Sequence, residues 1–296
     1  DLDHLLLRQR QFPQRRARRD TQAKAFQERL AFAVDLLAVN EPQRAAADRM
    51  NAFSDELLEE FKQAIAAIDK DEDVRVVIVS GAGGKAFSAG YDLRDAANLP
   101  KRSIAELNER YAWQQTFNLS VWHCNKPVIA MIDGYCLAGA LELATCCDIR
   151  YCSDTSRIGA LEARFGGGMG TLMLPWILGN KCRELVYTGD ILTAEDALRI
   201  GLVDRVFPQA NLAAETMRIA KRMSRVAATC QIWNKHAINQ TFEIMGLHAA
   251  LRQGIDAASI LRAIGSPERE KFDELRRTDG LSAALAWRKA LFDPFE

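Results

Sequence analysis

Two glutamates, Glu142 and Glu162, follow segments rich in small residues that suit close contact with a ligand. Glu142 lies where a strand-like run, 128–132, passes through a glycine-containing turn into an amphipathic helix. The first N–H groups of a helix have no partner within it and carry the positive end of its dipole, so the N–H of Gly139 can stabilise developing negative charge. Glu142 shares that helix face. The spacing therefore predicts an oxyanion donor and a proton-transfer carboxylate within one helical turn.

A second candidate donor lies upstream, after the strand-like run 74–79. The segment 85–93 reads Lys-Ala-Phe-Ser-Ala-Gly-Tyr-Asp-Leu, and its small residues allow the backbone to approach a ligand closely. An amide of this segment is therefore the predicted partner of Gly139 in binding an oxyanion.

Three motifs in this order resemble the enoyl-CoA hydratase/isomerase (crotonase) family: A-F-S-A-G-x-D-L at 86–93, K-P-V-I-A-M-I-D-G-Y at 126–135 and E-L-A-x-x-C-D at 142–148. The match runs from about Met50 to the C-terminus. The resemblance implies that the amides of Tyr91 and Gly139 polarise the carbonyl of an acyl-CoA thioester, with Glu142 and Glu162 completing a hydratase-like site. It also implies contacts with the CoA substrate from Ala89, Gly90, Tyr91, Asp92 and Leu93, and from Arg288 and Lys289 of the closing helix.

Hydration of a double bond conjugated to a thioester explains why such a site needs these groups. Negative charge builds on the carbonyl oxygen, and one well-aimed amide contributes about 3 kcal/mol there. Water must lose a proton to a base while the alpha carbon gains one from an acid, so two carboxyl groups in different protonation states suffice. An isomerase needs only one. The pair therefore favours hydration, with Glu162 expected as proton donor, Glu142 as base, and their titrations coupled.

Each of these residues also has a structural interpretation. Charged residues are mostly exposed, an acid in a first turn such as Glu142 stabilises the helix dipole, and Arg288 and Lys289 suit a solvated last turn. The chain departs from the family at Ala138 and Ala140, where glycine is usual, and at Leu161, where proline is usual. Tyr91 replaces a small residue, so its ring is expected to narrow the acyl pocket.

Other chemistries are poorly supported. The pattern G-x-G-x-x-A at 81–86 fits a dinucleotide fingerprint, but 87–91 is predicted to be a loop where a helix should begin, and a P-loop fails at both ends of its motif. The four histidines show no metal or nucleophile spacing, and G-x-S-x-G is absent. The seven cysteines contain no C-x-x-C pair and mostly lie in apolar stretches, which indicates buried thiols in a reducing compartment.

Helix and strand signals alternate along the chain. Ser54 is the expected N-cap of a helix that ends before the strand starting at Val74. Further predicted elements are the strand Val128–Ile132, the helix Gly139–Cys147, the strand Ile149–Cys152, a capping box at Thr193 before 197–200 with Gly201 as the stop, and helices from Asn211 onward. This alternation predicts an α/β layer structure. The resemblance implies the ClpP/crotonase type, with a ββα spiral core and a C-terminal helical oligomerisation region.

Three regions are predicted: an atypical N-terminal segment 1–49, a core 50–210 that holds the active site, and the helical region 211–296. The N-terminal segment contains one candidate strand within 31–39 and a basic cluster at 12–19. A solvated arm is one interpretation of that cluster; contact with RNA or anionic partners, or a transit peptide, are others.

Composition agrees with a globular enzyme. The 296 residues are 48% hydrophobic and 26% charged, and 39 basic residues balance 39 acidic ones, so the charge favours neither nucleic-acid nor membrane partners. No apolar run approaches the roughly 20 residues that span a bilayer. The resemblance implies a homotrimer or dimer of trimers, and we expect a cytoplasmic protein without a metal or any cofactor besides the CoA carried by the substrate. The alternatives are an enoyl-CoA isomerase, a CoA-dependent hydrolase or C–C lyase, and a non-catalytic RNA- or partner-binding protein.

Overall fold

A computed structural model of the chain describes residues 32–35, 50–92 and 102–295. The first long helix, α1 (Asp55–Lys70), begins as predicted, because the Ser54 side chain accepts a hydrogen bond from the N–H of Leu57. Its apolar residues, spaced three and four apart, form one buried face: Leu57, Leu58, Phe61, Ile65 and Ile68.

Nine strands form two sheets within the described residues. They are β1 (Phe32–Asp35), β2 (Val77–Ser80), β3 (Ala86–Ser88), β4 (Val128–Ile132), β5 (Tyr135–Leu137), β6 (Ile149–Ser153), β7 (Arg157–Gly159), β8 (Ile191–Thr193) and β9 (Arg205–Phe207). The larger sheet is parallel throughout, in the order β1-β2-β4-β6-β9. The smaller sheet has the order β3-β5-β7-β8, with only β8 antiparallel to its neighbour.

Tight turns carry the chain from the larger sheet to the smaller one. β2 leads to β3, β4 to β5 and β6 to β7, so each pair of consecutive strands supplies one strand to each sheet. Gly134, between β4 and β5, has φ +71°, and a β-carbon there would lie 2.1 Å from the carbonyl oxygen of Lys85. Only glycine permits this close approach. The resulting ββα pattern confirms the predicted α/β class.

The prediction for the first core strand was wrong at its start. Pairing begins at Val77 rather than Val74, in register with Val128 of β4. Pro127, which precedes Val128, has no N–H to donate to a ladder, although its carbonyl accepts from Val77 at 2.8 Å. Parallel pairing therefore starts only after the proline.

The prediction of a loop at 87–91 was also wrong in part. Ala86–Ser88 is the strand β3, paired with β5 some fifty positions later. A three-residue strand is too short to show a periodic pattern, so whether it forms depends on the strand with which it pairs. The glycines before it form a short 3₁₀ turn, Ala82–Gly84, rather than opening a helix.

The helices after α1 are α2 (Ile104–His123), α3 (Gly139–Cys146), α4 (Leu174–Leu178), α5 (Cys182–Thr188), α6 (Ala194–Ile200), α7 (Gln209–Met223), α8 (Ala228–Ile244), α9 (Leu247–Ile264), α10 (Pro267–Thr278) and α11 (Leu281–Ala290). Helix α3 ends one residue before its predicted end. Helix α6 begins after the predicted Thr193 cap. Helix α2 was not among the predicted elements. Ser103 and Glu106 form the capping box that starts it at Ile104.

The C-terminal helices are as extensive as predicted. The first of them, α7, covers the larger sheet and buries Leu212, Ile219 and Ala220 against it. The predicted boundary at 210 falls within this helix, and the division into three regions stays a prediction. The basic cluster 12–19 and Leu93 lie outside the described residues. Within the described ranges, every helix is too short or too polar to cross a bilayer.

Candidate active site

The N-terminus of α3 presents the first predicted oxyanion donor. Gly139 is the first residue of this helix, so its N–H has no carbonyl four residues earlier in α3 to bond. The preceding Ala138 has φ +52° and ψ −125°, a backbone conformation that residues with a β-carbon rarely adopt. This turn directs the chain sharply from β5 into α3. The position at which the family usually has glycine therefore has a glycine-like conformation here, held by alanine.

Tyr91 supplies the second predicted donor. Its neighbours bond to the Phe53 segment, with the Gly90 carbonyl accepting from Phe53 N–H at 2.8 Å and the Asp92 N–H donating to the Phe53 carbonyl at 3.1 Å. Since backbone groups of successive residues in extended chain point to opposite sides, the Tyr91 N–H points away from Phe53. The N–H groups of Ala89, Gly90 and Asp92 all donate within the protein. Tyr91 thus has the amide of this segment best suited to bind a ligand.

The two donor segments are in contact. A β-carbon on Gly139 would lie 2.5 Å from Cε2 of Tyr91, so the aromatic ring covers the Cα of this glycine. The ring also packs edge-on against Phe53, with centroids 5.7 Å apart. The absence of a side chain on Gly139 permits this approach.

Glu142 is buried on α3, 3% exposed. It accepts a hydrogen bond from Asn118 Nδ2 at its Oε2, at 3.0 Å. Burial raises the pKa of Glu142 to about 7, against the opposing effect of hydrogen bonds from the Thr171 and Gly170 backbones, the Thr171 side chain and Asn118. These donors can stabilise the ionised form, as a general base requires.

Glu162 lies on a 3₁₀ turn, Leu161–Phe165, ahead of the glycine cluster. Its Oε2 is shielded from solvent and has no hydrogen-bond partner among the described residues. Burial, and then the charge of Glu142, raise the pKa of Glu162 to about 8. A buried carboxyl group with one oxygen left without a donor favours its protonated form, as a general acid requires.

The two carboxyl groups differ in surroundings and influence one another. Glu142 is held by several donors, whereas the Glu162 Oε2 has none. Two adjacent buried carboxylates cannot both ionise easily, so the pair holds one proton near neutral pH. Such a pair can take a proton from one molecule and return one to another, which suits the transfer of water or of a proton.

Three further groups at this site were missed from the sequence: Asn118, Thr171 and the phenol of Tyr91. Asn118 Nδ2 lies 2.8 Å from Thr171 Oγ1 and 3.3 Å from Tyr91 Oη. The Ser103–Glu106 capping box could have revealed helix α2, but it does not indicate that Asn118 faces Glu142.

Arg288 and Lys289 are not at the two carboxyl groups. Arg288 donates from Nε to the Arg164 carbonyl, on the turn that carries Glu162, and its guanidinium lies over the ring of Phe292. Lys289 forms an ion pair with Asp293. Their predicted contact with the CoA substrate stays a prediction, as does that of Leu93.

Metal and thiol chemistry find little support in the described part of the chain. There, His, Cys, Asp and Glu form no group of three or more that could hold a metal ion. Six cysteines are buried and free, as predicted, and Cys230 is free and exposed. Burial raises the pKa of Cys136, Cys146 and Cys147.

The chain is similar in sequence and in fold to several known proteins. A family model described as enoyl-CoA hydratase/isomerase matches residues 41–262. A crotonyl-CoA hydratase of Syntrophomonas wolfei subsp. wolfei is 32% identical over 261 residues, 87% of this chain and 93% of that protein. The human mitochondrial Delta(3,5)-Delta(2,4)-dienoyl-CoA isomerase is 36% identical over 175 residues, 54% of this chain and 53% of that protein. A crystal structure of an enoyl-CoA hydratase/isomerase from Xanthobacter autotrophicus Py2 superposes with a TM-score of 0.79 and 35% identity, covering 83% of this chain and 92% of that one.

Proposed function

This chain belongs to the enoyl-CoA hydratase/isomerase (crotonase) family, and we propose that it is an enzyme that hydrates a 2-enoyl-CoA to a 3-hydroxyacyl-CoA. The observation that carries this proposal is the pair of buried, mutually influencing carboxyl groups, Glu142 and Glu162, next to the N-terminus of α3. Two acids are what addition of water requires.

Two backbone amides stabilise the charge that develops on the thioester oxygen. The N–H groups of Tyr91 and Gly139 bind this oxygen, each contributing about 3 kcal/mol to transition-state stabilisation. The positive end of the α3 dipole adds to the effect of Gly139. Gly139 begins α3 and Tyr91 bridges to Phe53, so the backbone places both amides before the charge forms.

The carboxyl groups then move two protons. Glu142, in its ionised form, takes a proton from water as the oxygen bonds to the beta carbon of the substrate. Glu162, in its protonated form, donates its proton to the alpha carbon. Product release and exchange of one proton between the acids restore the starting state. The reaction is redox-neutral, and we propose no cofactor beyond the CoA moiety of the substrate.

The experiment that tests hydration also distinguishes the alternative functions. An enoyl-CoA isomerase moves one proton between carbons and needs one carboxylate; the similarity to a dienoyl-CoA isomerase keeps this alternative open. A CoA-dependent hydrolase or C–C lyase would use the same oxyanion donors. A binding protein that uses its basic arm on RNA would turn over no acyl-CoA.

We propose a homotrimer or a dimer of trimers as the assembly. Several large apolar side chains of α8 and α9 are exposed, among them Trp233, Ile238, Ile244, Ile260 and Ile264. Apolar patches of this kind favour association. The free, mostly buried cysteines support a reducing compartment, and we propose the cytoplasm.

The test is the loss of conjugated thioester absorbance when the protein is given crotonyl-CoA, followed by longer and aromatic enoyl-CoAs. Wild type should hydrate at least one of them, and Glu142→Gln and Glu162→Gln should each lose about 100-fold or more. Glu184→Gln, which alters an exposed acid on α5, is the matched control and should retain activity. Full activity in either active-site variant would contradict the two-acid mechanism. A wild type silent on all enoyl-CoAs would favour the other reactions.

A further inference from the structure

We infer that Asn118 is a positioning residue, whose side-chain amide holds Glu142 and serves it in both its ionised and its protonated state. This inference rests on the proposed function, in which Glu142 gains and loses a proton in each turnover. Asn118 lies on α2, opposite the helix that carries Glu142, and its side chain is completely buried.

The amide of Asn118 has more acceptors than hydrogens. Its Nδ2 lies 2.8 Å from Thr171 Oγ1, 3.0 Å from Glu142 Oε2 and 3.3 Å from Tyr91 Oη. An amide nitrogen carries two hydrogens, so at most two of the three oxygens can accept from it at once. Glu142 is the ionisable member of the three near neutral pH, and a charged acceptor forms the strongest of these bonds.

The oxygen of the same amide is unused. Asn118 Oδ1 is buried and has no hydrogen-bond partner among the described residues. Half a turn of the amide exchanges Nδ2 and Oδ1. In that orientation Oδ1 accepts from the hydroxyl groups of Thr171 and Tyr91, which are donors as well as acceptors, and from a protonated Glu142. One amide can therefore satisfy the base before and after it takes up a proton.

Four chain segments meet at this amide: α2, α3, the segment after β3, and the segment after the glycine cluster. A purely structural polar residue would stabilise this junction equally well with fixed donors. Only a side chain that can both donate and accept can hydrogen-bond to Glu142 in its ionised and in its protonated form. A leucine of similar volume could form neither hydrogen bond.

Few other groups titrate near Glu142. Burial raises the pKa of Tyr91, Cys146, Tyr111 and Glu162, and the negative charge of Glu142 raises each of them further. The phenols and the thiol are therefore neutral at physiological pH. The positive charge of Arg262 on α9 acts on Tyr111, and burial lowers the pKa of this guanidinium. The titration of the site near neutral pH belongs to the two glutamates.

The primary test measures the protonation of Glu142 in the protein without substrate. Infrared difference spectra against Glu142→Gln report its carboxylate as a function of pH, whatever reaction the enzyme catalyses. Asn118→Leu removes a donor and should raise the pKa of Glu142 by about one unit. Asn118→Asp, close to isosteric and an alternative if the leucine variant does not fold, adds a like charge and should raise it further. Gln114→Leu is the matched control, since Gln114 is a buried amide one turn earlier on α2.

The second readout is the pH profile of kcat/KM on any acyl-CoA that wild type turns over. If Asn118 positions the base, the acidic limb of Asn118→Leu moves to higher pH, and part of the lost activity returns at alkaline pH. An unchanged pKa of Glu142, or a loss of activity equal at all pH values, would overturn the inference. Absence of turnover in wild type would count against the proposed function alone, because the infrared titration would still decide the role of Asn118.

Discussion

Gly90 packs against Gly139 so closely that a β-carbon on Gly90 would lie 2.9 Å from the Gly139 nitrogen. Gly90 has φ +85°, and a β-carbon there would also lie 2.8 Å from the Leu137 carbonyl oxygen. Two segments nearly fifty positions apart in sequence thus meet at the nitrogen that is proposed to bind the thioester oxygen. Any side chain at Gly90 must displace one segment from the other.

Replacing Gly90 by alanine is expected to remove activity as well as stability. The positive φ should cost about 1–2 kcal/mol in the free energy of unfolding, and displacement of the Gly139 amide should lower kcat by about 100-fold. Gly201→Ala is the control, because Gly201 has φ +87° and a β-carbon there would have no described atom within 4 Å apart from its chain neighbours. Denaturant unfolding and kcat are measured for both. Equal losses of activity would show that strain alone, and not the contact with Gly139, is responsible.

Two alanines flanking Gly139 should respond oppositely to replacement by glycine. Ala138 has φ +52°, whereas Ala140 lies within α3 and is fully buried. Ala138→Gly relieves backbone strain and should stabilise the fold by about 1 kcal/mol. Ala140→Gly should destabilise it by about 1 kcal/mol or more through lost helix propensity and a lost buried methyl group. Thermal unfolding of the pair measures the difference, and a loss of stability in Ala138→Gly would contradict this account.

The raised pKa of Glu162 predicts how stability depends on pH. Unfolding returns the pKa from about 8 to its ordinary value of 4.5, so between these values the folded state holds a proton that the unfolded state releases. Its contribution to stability is therefore fully present below about pH 4.5 and is lost as the pH rises through about 8. Glu162→Gln removes this titration, so the Tm of the variant relative to wild type should rise by a few degrees between pH 5 and pH 8. A difference in Tm that is constant with pH would contradict the raised pKa.

The ring of Tyr91 should restrict the acyl group. It covers Gly139 and brings its hydroxyl to Asn118, beside Glu142. Tyr91→Ala should open this space and raise kcat/KM for long or branched enoyl-CoAs relative to crotonyl-CoA by about tenfold, the scale of one or two methylene groups in a pocket. Tyr91→Phe keeps the ring and serves as the control for size. If both variants show the wild-type ratio, the ring does not line the acyl pocket.

Local signals accounted for the elements that were predicted well. The Ser54 cap and the spacing of Leu58, Phe61 and Ile65 specify α1 without reference to the rest of the chain. The same holds for α6, where the Thr193 side chain accepts from the Asp196 N–H and Gly201 ends the helix with φ +87°. Caps and apolar periodicity act within a few residues, so the sequence contains them completely.

Elements defined by distant partners were predicted less well. The start of β2 depends on Pro127, and the existence of β3 depends on β5. Both are pairings between segments about fifty residues apart, and their hydrogen bonds leave no periodic pattern in three or four residues. A capping box at Ser103 marks the start of helix α2 in the sequence, but the mixed apolar and polar composition of the helix gives no clear periodic pattern.

The types of the chemical groups were determined by the sequence alone: two glutamates after small-residue segments, a helix starting at Gly139, and an amide at Tyr91. Their relation was decided by the tertiary structure. Burial and proximity raise the pKa values of Glu142 and Glu162, and the packing of α2 against α3 brings Asn118 to Glu142. The physical reason is that charge, desolvation and hydrogen bonding depend on distances across the fold, whereas a sequence pattern carries only distances along the chain.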